Sequence, residues 1–252
     1  MIRTIRTTTA EVIEMITGYY KIADRIIKIT SFYESVHKLC SEYRVEGTVS
    51  CDIDVEVTRA DIDNEIARSE NGDRYQEGYL EELAVYRKIA TEMLRYDTFL
   101  MHGSVVSVDG QAYMFTAKSG TGKSTHAKLW CDLLGEKAVM VNDDKPLIRV
   151  GSNKATVYGT PYNGKHRRGN NMAVPLKAIC YLTRSETNSI EEVSSKDLYH
   201  ILLQQIYRPG DKELLIKTVS LIDKLTKEVK FYILKCNMDI SAAKTSYNAM
   251  KG

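Results

Sequence analysis

The sequence predicts an α/β fold with α+β character, built around a central mixed β-sheet. Three observations support this prediction. Runs of β-favouring residues alternate with helical patterns, one run passes through a glycine-rich turn directly into a helix, and 43% of the 252 residues are hydrophobic. This composition is rich enough for a sizeable core. We expect a small N-terminal α+β portion, residues 1–75, packed on a larger domain of residues 76–252.

The N-terminal portion contains two candidate strands. Residues 25–30 are rich in isoleucine, which favours a strand. Residues 50–57 alternate acidic and apolar side chains with the period of a half-buried strand. The acidic side chains share one face, and we expect that face to be solvated rather than to bind a metal. They are Asp52, Asp54 and Glu56.

A helix, a loop and a second helix come next. Thr58 and Asp61 form a capping pattern for a helix that runs to Arg68. The polar residues 69–78 predict the loop that separates the two portions. Apolar residues then recur every three or four positions over residues 79–97, which predicts an amphipathic helix.

A hairpin precedes the glycine-rich turn. Asp109 and Gly110 lie between two β-rich runs, and this dipeptide is a strong two-residue hairpin signal. The second run ends at Thr116 and continues as AKSGTGKS into a predicted helix over residues 123–134. Gly135 is suited to end that helix.

In the rest of the chain, predicted strands and helices alternate again. Residues 138–141 predict a short buried strand that ends at the triplet Asn142-Asp143-Asp144. Beyond it the sequence predicts a strand, two helices, a strand and a final helix capped by Asp239. These five elements are expected at residues 175–184, 197–208, 214–225, 231–236 and 240–250.

Composition argues against several functional classes. The chain has 35 basic and 33 acidic side chains, so nothing favours a nucleic-acid or membrane partner. Its five scattered cysteines form no metal-binding or disulfide pattern. No apolar run reaches the roughly 18 residues of a membrane helix, and residues 1–22 do not have the pattern of a signal peptide. We therefore expect a cytoplasmic protein.

The glycine-rich turn has the residue types that hold a nucleotide phosphate. Glycines let backbone N–H groups approach phosphate oxygens, and the following helix start adds free N–H donors. Lys123 would contact the β- and γ-phosphates, and the Ser124 hydroxyl would bind Mg²⁺. A P-loop has glycine at position 117, where this chain has Ala117. The alternative interpretation is a turn and helix start that bind nothing.

An acidic pair, Asp143 and Asp144, follows a predicted strand about 20 residues beyond Lys123. Two carboxylates there can divide the work, since one can hold Mg²⁺ while the other accepts a proton from an attacking hydroxyl. The alternative is that the pair only caps a turn. His102 lies just before the hairpin, and a histidine beside a carboxylate would hold it charged or relay its proton.

The segment of residues 158–171 is rich in glycine and basic residues. Its four basic side chains would close over the γ-phosphate or hold an anionic substrate. A solvated charged loop is the alternative, and four basic residues in one loop are too few to favour nucleic acid. The four residues are Lys165, His166, Arg167 and Arg168.

The order of MHG, the DG hairpin, SGTGKS and NDD resembles the catalytic core of the HPr kinase/phosphorylase family. That family shares a P-loop fold with ATP-dependent phosphoenolpyruvate carboxykinases. The resemblance covers residues 99–148, continues more weakly over 159–178, and is stronger still to small bacterial HPr-kinase-like proteins. Residues 1–97 do not resemble the regulatory domain of HPr kinases, so HPr itself is not the expected substrate.

The resemblance implies roles for the matching residues. Lys123 would contact the β- and γ-phosphates, and Ser124 would bind Mg²⁺ together with Asp144. Asp143 would be the general base, paired with His102. Lys165 and Arg168 would clamp phosphate. The nucleotide-binding set implied in this way is Ser119, Gly120, Thr121, Gly122, Lys123, Ser124, Thr125, Lys165 and Arg168.

The expected function is that of an ATP- and Mg²⁺-dependent kinase. It would transfer the γ-phosphoryl group to a hydroxyl of a peptide, a protein or a small alcohol, and family precedent suggests a homo-oligomer. Two other functions stay open, a non-catalytic ATP-binding regulatory protein and a nucleoside-triphosphatase. The acidic pair argues against the regulatory protein, because binding alone needs no base.

Overall fold

The computed structural model describes residues 14–69, 74–152 and 154–252. Residues 1–13, which contribute to the signal-peptide argument, lie outside this range, as do residues 70–73 of the expected separating loop. The strands are β1 (Ile16–Ile22), β2 (Arg25–Ser31), β3 (Arg44–Val45), β4 (Ile53–Glu56), β5 (Thr98–Leu100), β6 (Ser104–Val108), β7 (Gln111–Thr116), β8 (Ala138–Asn142), β9 (Leu147–Val150), β10 (Ala155–Tyr158), β11 (Ala173–Arg184), β12 (Ser189–Val193) and β13 (Lys230–Cys236). The α-helices are α1 (Glu34–Leu39), α2 (Arg59–Arg68), α3 (Glu77–Met93), α4 (Lys123–Leu134), α5 (Ser195–Gln205), α6 (Lys212–Glu228) and α7 (Ile240–Met250).

Two sheets organise these elements. The small sheet has the strand order β3-β1-β2-β4. The large sheet has nine strands, seven of them in the order β5-β9-β10-β11-β7-β6-β8, while β13 pairs with β11 and β12 pairs with β13. Strand β11 runs parallel to both β7 and β13, and the other pairs of this sheet are antiparallel. The predicted central mixed sheet is therefore confirmed.

Two hydrophobic cores hold the sheets in place. One lies against the large sheet, where Trp130 of α4 packs on Tyr113 and Phe115 of β7. The other joins the small sheet to α3 and also includes Leu100 and Leu147 of the large sheet. The small sheet is thus packed against the large one through a shared core. Whether residues 1–75 form a separate domain stays a prediction.

Most of the predicted strands and helices occur at or near the positions that the sequence predicts. The Asp109-Gly110 hairpin joins β6 to β7, and Gly135 follows the last residue of α4. Thr58 caps α2 in a capping box with Asp61. The acidic face of β4 is exposed, as expected, although that strand is shorter than its alternating pattern. No helix among the described residues is long and apolar enough to span a membrane.

The sequence analysis missed several short elements. Strands β9 and β10 have four residues each, and β12 is a mostly exposed edge strand with two glutamates. Such strands carry little hydrophobic periodicity, because cross-strand pairing rather than their own pattern stabilises them. Strand β1 was also missed. It contains Gly18, and the ring of Tyr20 covers the space that a side chain there would need.

Candidate functional site

Three segments converge at one edge of the large sheet. Strand β6 is antiparallel to both β7 and β8, so its first residue, Ser104, lies beside Phe115 near the end of β7. The next residue, Val105, pairs with Asn142 at the end of β8. The Thr116 hydroxyl donates to the carbonyl of His102 at 2.9 Å. The topology therefore places the glycine turn (residues 117–122), His102 and the acidic pair close together.

The backbone of the glycine turn depends on its glycines. Gly120 and Gly122 have φ angles of 73° and 117°, in the left-handed region that other residues avoid. Ala117 is buried and is not among the positive-φ residues of the described chain. The alanine at position 117 is therefore compatible with this turn. Helix α4 starts at Lys123 without a side-chain cap, which leaves its first backbone N–H groups available for an anion.

Lys123 folds back over the turn. Its Nζ donates to the Ala117 carbonyl at 3.2 Å, and only 9% of the residue is exposed. Burial lowers the pKa of Lys123, while the charges of Asp144 and Asp143 act in the opposite direction. The lysine thus lies within electrostatic reach of both carboxylates.

Asn142 shapes the backbone that carries the acidic pair. Its Oδ1 accepts hydrogen bonds from the backbone N–H groups of Asp144 at 2.9 Å and Lys145 at 2.7 Å. Its Nδ2 donates to the carbonyl and the hydroxyl oxygen of Thr160. This buried amide fixes the turn after β8 and directs the two aspartates to different surroundings.

Asp143 points inward and is almost fully buried. Its Oδ1 accepts a hydrogen bond of 2.8 Å from the Ser104 hydroxyl. Burial raises the pKa of Asp143, and hydrogen bonds from Ser104 and Ser124 oppose that rise, together with the charge of Arg168. The Ser124 hydroxyl is the first one beyond Lys123 in α4. A carboxylate and a hydroxyl that lie close enough at the glycine turn for one to affect the pKa of the other are suitable oxygen ligands for Mg²⁺.

Asp144 points to the other side and contacts His102. The distance from His102 Nε2 to Asp144 Oδ1 is 3.1 Å, and the ammonium of Lys145 contacts Oδ2. Burial alone would raise the pKa of Asp144, but His102 and Lys145 together lower it. The expected pairing of His102 with Asp143 is therefore wrong. Adjacent residues at a strand end face opposite sides, and it is Asp144 that faces the histidine.

The basic segment contributes to both aspartates. Arg168 and His166 act electrostatically on Asp143, whereas Lys165 and Arg167 line a cavity next to Asp144. The backbone of Gly169 forms a bridge with Asn142, which ties this segment to the end of β8. The four basic residues thus border the site, with Arg168 and His166 on the side of Asp143 and with Lys165 and Arg167 on the side of Asp144.

Two cavities flank the site. The turn cavity, of about 350 Å³, lies against the glycine turn and the first half of α4. The Asp144 cavity, of about 430 Å³, lies between the ends of α1 and β8, helix α3 and the basic segment. The turn cavity has mainly apolar walls, formed by Leu129, Leu182 and Met238 among others. A larger cavity of about 490 Å³ lies elsewhere, between β4, α2 and α3, where buried Glu65 is already paired with Arg87.

Sequence reasoning did not single out several residues of this site. Ser104 and Thr160 are ordinary strand-end hydroxyls, and nothing local distinguishes them. Arg184 donates to the carbonyl of Gly120 and lines the turn cavity. It could have been found, because it ends a predicted strand, and ligands of α/β sheets gather at the carboxyl ends of strands.

The described residues contain no group of three or more histidine, cysteine or acidic side chains placed to hold a metal. Two protein ligands, Asp143 and Ser124, would suffice for Mg²⁺, which commonly keeps several waters and binds substrate phosphates. The residues present therefore fit a magnesium ion that is completed by a nucleotide.

Comparison with known proteins finds a distant structural similarity but no match in sequence. No protein-family model matches the chain, and no curated protein matches it. Among solved structures, the chain is similar to an Hpr(Ser) kinase/phosphatase from Coxiella burnetii, with 10% identity and a TM-score of 0.33. The match covers 61% of this chain and 99% of the other. At that TM-score the likeness assigns neither an activity nor a residue role.

Proposed function

We propose that the chain is an ATP- and Mg²⁺-dependent phosphotransferase that acts on a hydroxyl. The observation that supports this most is the position of the acidic pair beside the glycine turn, where the Ser124 hydroxyl lowers the pKa of Asp143 and both carboxylates act on Lys123. A turn that only started a helix would not need a buried carboxylate, a half-buried carboxylate and a buried lysine, because burying such groups is costly.

The glycine turn would hold the triphosphate. The free N–H groups at the start of α4 and the Lys123 ammonium would neutralise the phosphate oxygens. The apolar turn cavity is suited to the nucleobase, with Arg184 at its edge. Lys165 and Arg168 would approach from the basic segment and add positive charge around the γ-phosphate.

Asp143 and Ser124 would hold Mg²⁺, which neutralises charge on the β- and γ-phosphate oxygens when it is bound. Asp144, held ionised by His102 and Lys145, would orient the acceptor hydroxyl and take its proton. This assignment exchanges the roles that the family resemblance implied for the two aspartates. Two observations support the exchange, because the Ser124 hydroxyl acts on the pKa of Asp143, whereas Asp144 lines a cavity.

The reaction would be an in-line displacement. The acceptor oxygen forms a bond to the γ-phosphorus while the bond to the β–γ bridging oxygen breaks, and that electron pair leaves with ADP. Such transfers have a loose transition state, so positioning and charge neutralisation matter more than a strong base. An ionised aspartate with a lowered pKa is therefore adequate for this role.

Two asparagine variants test the proposal. Wild type, Asp143→Asn and Asp144→Asn are incubated with γ-labelled ATP and a cell extract, which is then separated into protein and small-molecule fractions. We expect Asp144→Asn to lower transfer at least about 100-fold with ATP affinity retained. Asp143→Asn should instead raise the Mg²⁺ concentration needed for half-maximal activity. The matched control is Asp132→Asn, an exposed position of α4.

Each other outcome assigns a different function. Release of labelled phosphate without a labelled acceptor would indicate a nucleoside-triphosphatase. ATP binding with neither transfer nor hydrolysis would indicate a regulatory protein. A cytoplasmic location is also part of the proposal, and the five free cysteines support it. A homo-oligomer stays a prediction, which light scattering would test.

A further inference from the structure

Thr160 lies near the start of the basic segment, and only 2% of it is exposed. Its hydroxyl uses its full hydrogen-bonding capacity of one proton and two lone pairs. It donates to the Lys145 carbonyl at 2.8 Å. It accepts hydrogen bonds from Asn142 Nδ2 at 3.0 Å and from the backbone N–H of Tyr162 at 3.2 Å. One buried hydroxyl thus connects the basic segment to the two residues that flank the acidic pair in the chain.

These partners exceed what a turn needs. A threonine that only stabilised the local turn would need only the bond from Tyr162, which is two residues away in the chain. The other two partners, Asn142 and Lys145, are 18 and 15 residues away. The hydroxyl therefore fixes one segment relative to another as well as shaping its own turn.

The far end of the basic segment is attached to the same strand end. Gly169 forms a backbone bridge with Asn142, and the Asn170 N–H donates to the Val141 carbonyl at 3.1 Å. The segment is thus held at the end of β8 from both sides. The basic residues 165–168 lie between the two attachments.

The middle of the segment lies against Asp144. Gly164 has a φ angle of 66°, and a Cβ at this position would lie 3.0 Å from the Asp144 Cβ and 3.3 Å from its carboxyl carbon. A side chain at position 164 would therefore press on the aspartate. Close packing of this backbone on Asp144 makes the position of the neighbouring basic residues depend on how the segment is attached.

We propose that Thr160 is a positioning residue, whose hydroxyl holds the basic segment at the acidic pair so that the site distinguishes a nucleoside triphosphate from a diphosphate. Lys165 and Arg168 would reach the γ-phosphate only when the segment is held in this place. A diphosphate has no γ-phosphate, so its binding would depend on the glycine turn and Lys123 rather than on the segment. This inference rests on the proposed nucleotide site and adds no covalent step to it.

Two calorimetric titrations test the inference, one with ADP and one with a non-hydrolysable ATP analogue, both in the presence of Mg²⁺. Thr160→Val keeps the shape of the side chain and removes the hydroxyl, whereas Thr160→Ser keeps the hydroxyl. We expect Thr160→Val to bind the analogue about 10-fold more weakly and ADP within about twofold of wild type, because charged contacts to the γ-phosphate are lost. Thr160→Ser should bind both nucleotides like the wild type.

Two further variants serve as a control and as an independent test. The Thr218 hydroxyl is also buried, and it donates to the Leu214 carbonyl within α6. Thr218→Val should therefore leave both affinities unchanged. Gly164→Ala displaces the same segment from Asp144 while keeping Thr160, and it should weaken binding of the analogue but not of ADP.

The outcomes separate this inference from the proposed function. A wild-type protein that binds neither nucleotide would contradict the proposed function itself. If Thr160→Val weakens both nucleotides alike, or neither of them, the inference is overturned. It is also overturned if Thr160→Ser binds the analogue as weakly as Thr160→Val does. Should Thr160→Val fail to fold, wild-type affinity of Gly164→Ala for the analogue would overturn it instead.

Discussion

Polar side chains are buried beside both the small sheet and the large sheet, but the two regions differ in how completely their hydrogen bonds and charges are compensated. Beside the small sheet, His37 of α1 bonds to the hydroxyls of Tyr20 at 2.6 Å and Ser31 at 2.9 Å, which belong to β1 and β2. Glu81 of α3 accepts backbone N–H groups from Phe32 at 2.6 Å and Tyr33 at 2.9 Å. These groups are satisfied by fixed partners that connect one element to another.

At the edge of the large sheet the buried charges have weaker partners. Lys123 has a single carbonyl acceptor at 3.2 Å, and Asp143 has the Ser104 hydroxyl but no cation within ion-pair distance among the described residues. Charges that are buried without full compensation lower stability, and they persist where function needs them. The polar groups of the small sheet therefore maintain the fold, whereas those at the edge fit the proposed function, in which they bind a nucleotide.

The largest effect on stability is expected in the small sheet. Glu81→Ala removes two hydrogen bonds and leaves two backbone N–H groups without an acceptor, and this loss outweighs the gain from removing a carboxyl whose pKa burial raises. We expect the free energy of unfolding to fall by about 3 kcal/mol, measured by urea denaturation. Glu92→Ala on the same helix loses only a surface pair with Arg95 and should change stability by less than about 0.5 kcal/mol. Equal losses of stability at the two positions would contradict the claim that Glu81 maintains the fold.

At the edge of the large sheet, we expect a substitution to raise the free energy of unfolding rather than lower it. Lys123→Met keeps the aliphatic stem and removes a charge whose burial lowers its pKa. A lowered lysine pKa means that the protonated form costs stability in the folded state at neutral pH, and that this cost disappears above about pH 10. Without nucleotide, the variant should therefore be more stable at pH 7 by about 1 kcal/mol.

The matched control for this variant is Lys128→Met, an exposed position on the same helix. It should leave the free energy of unfolding close to that of the wild type. A Lys123→Met protein that is destabilised at pH 7 would show that the lysine maintains the fold, contrary to the comparison.

The smallest effect is expected at Ser104. Its hydroxyl donates to Asp143, so Ser104→Ala leaves that carboxylate with fewer partners and should raise its pKa further. We expect a loss of about 0.5–1 kcal/mol at pH 7, and a smaller loss below about pH 4, where the carboxyl is protonated. Ser107→Ala, on the opposite face of the same strand, is the control. A loss that did not vary with pH would exclude an effect through Asp143.

The features that could be predicted from sequence are the local ones. The hairpin at Asp109, the turn at Gly120 and the start of α4 depend on residues next to one another in the chain. Each carries its own conformational signal, whether a positive φ, a helix start or a strand period. The same holds for the capping box of Thr58, because both of its hydrogen bonds lie within one helical turn.

The features that could not be predicted depend on contacts between distant segments. The pairing of His102 with Asp144 follows from the meeting of β6 and β8, where the Gly103 N–H donates to the Asp144 carbonyl at 3.0 Å. Sequence shows that two aspartates follow a strand, but not which of them faces inward.

The most direct test of the account is a calorimetric titration of the nucleotide-free protein with Mg-ATP, performed on wild type, Lys123→Met and Lys128→Met. The account predicts micromolar binding by wild type and by Lys128→Met. It predicts binding at least about 10-fold weaker for Lys123→Met, because a charged hydrogen-bond donor to the phosphates is lost. Equal affinity of the three proteins, or no binding by any of them, would contradict the claim that the glycine turn holds a nucleotide.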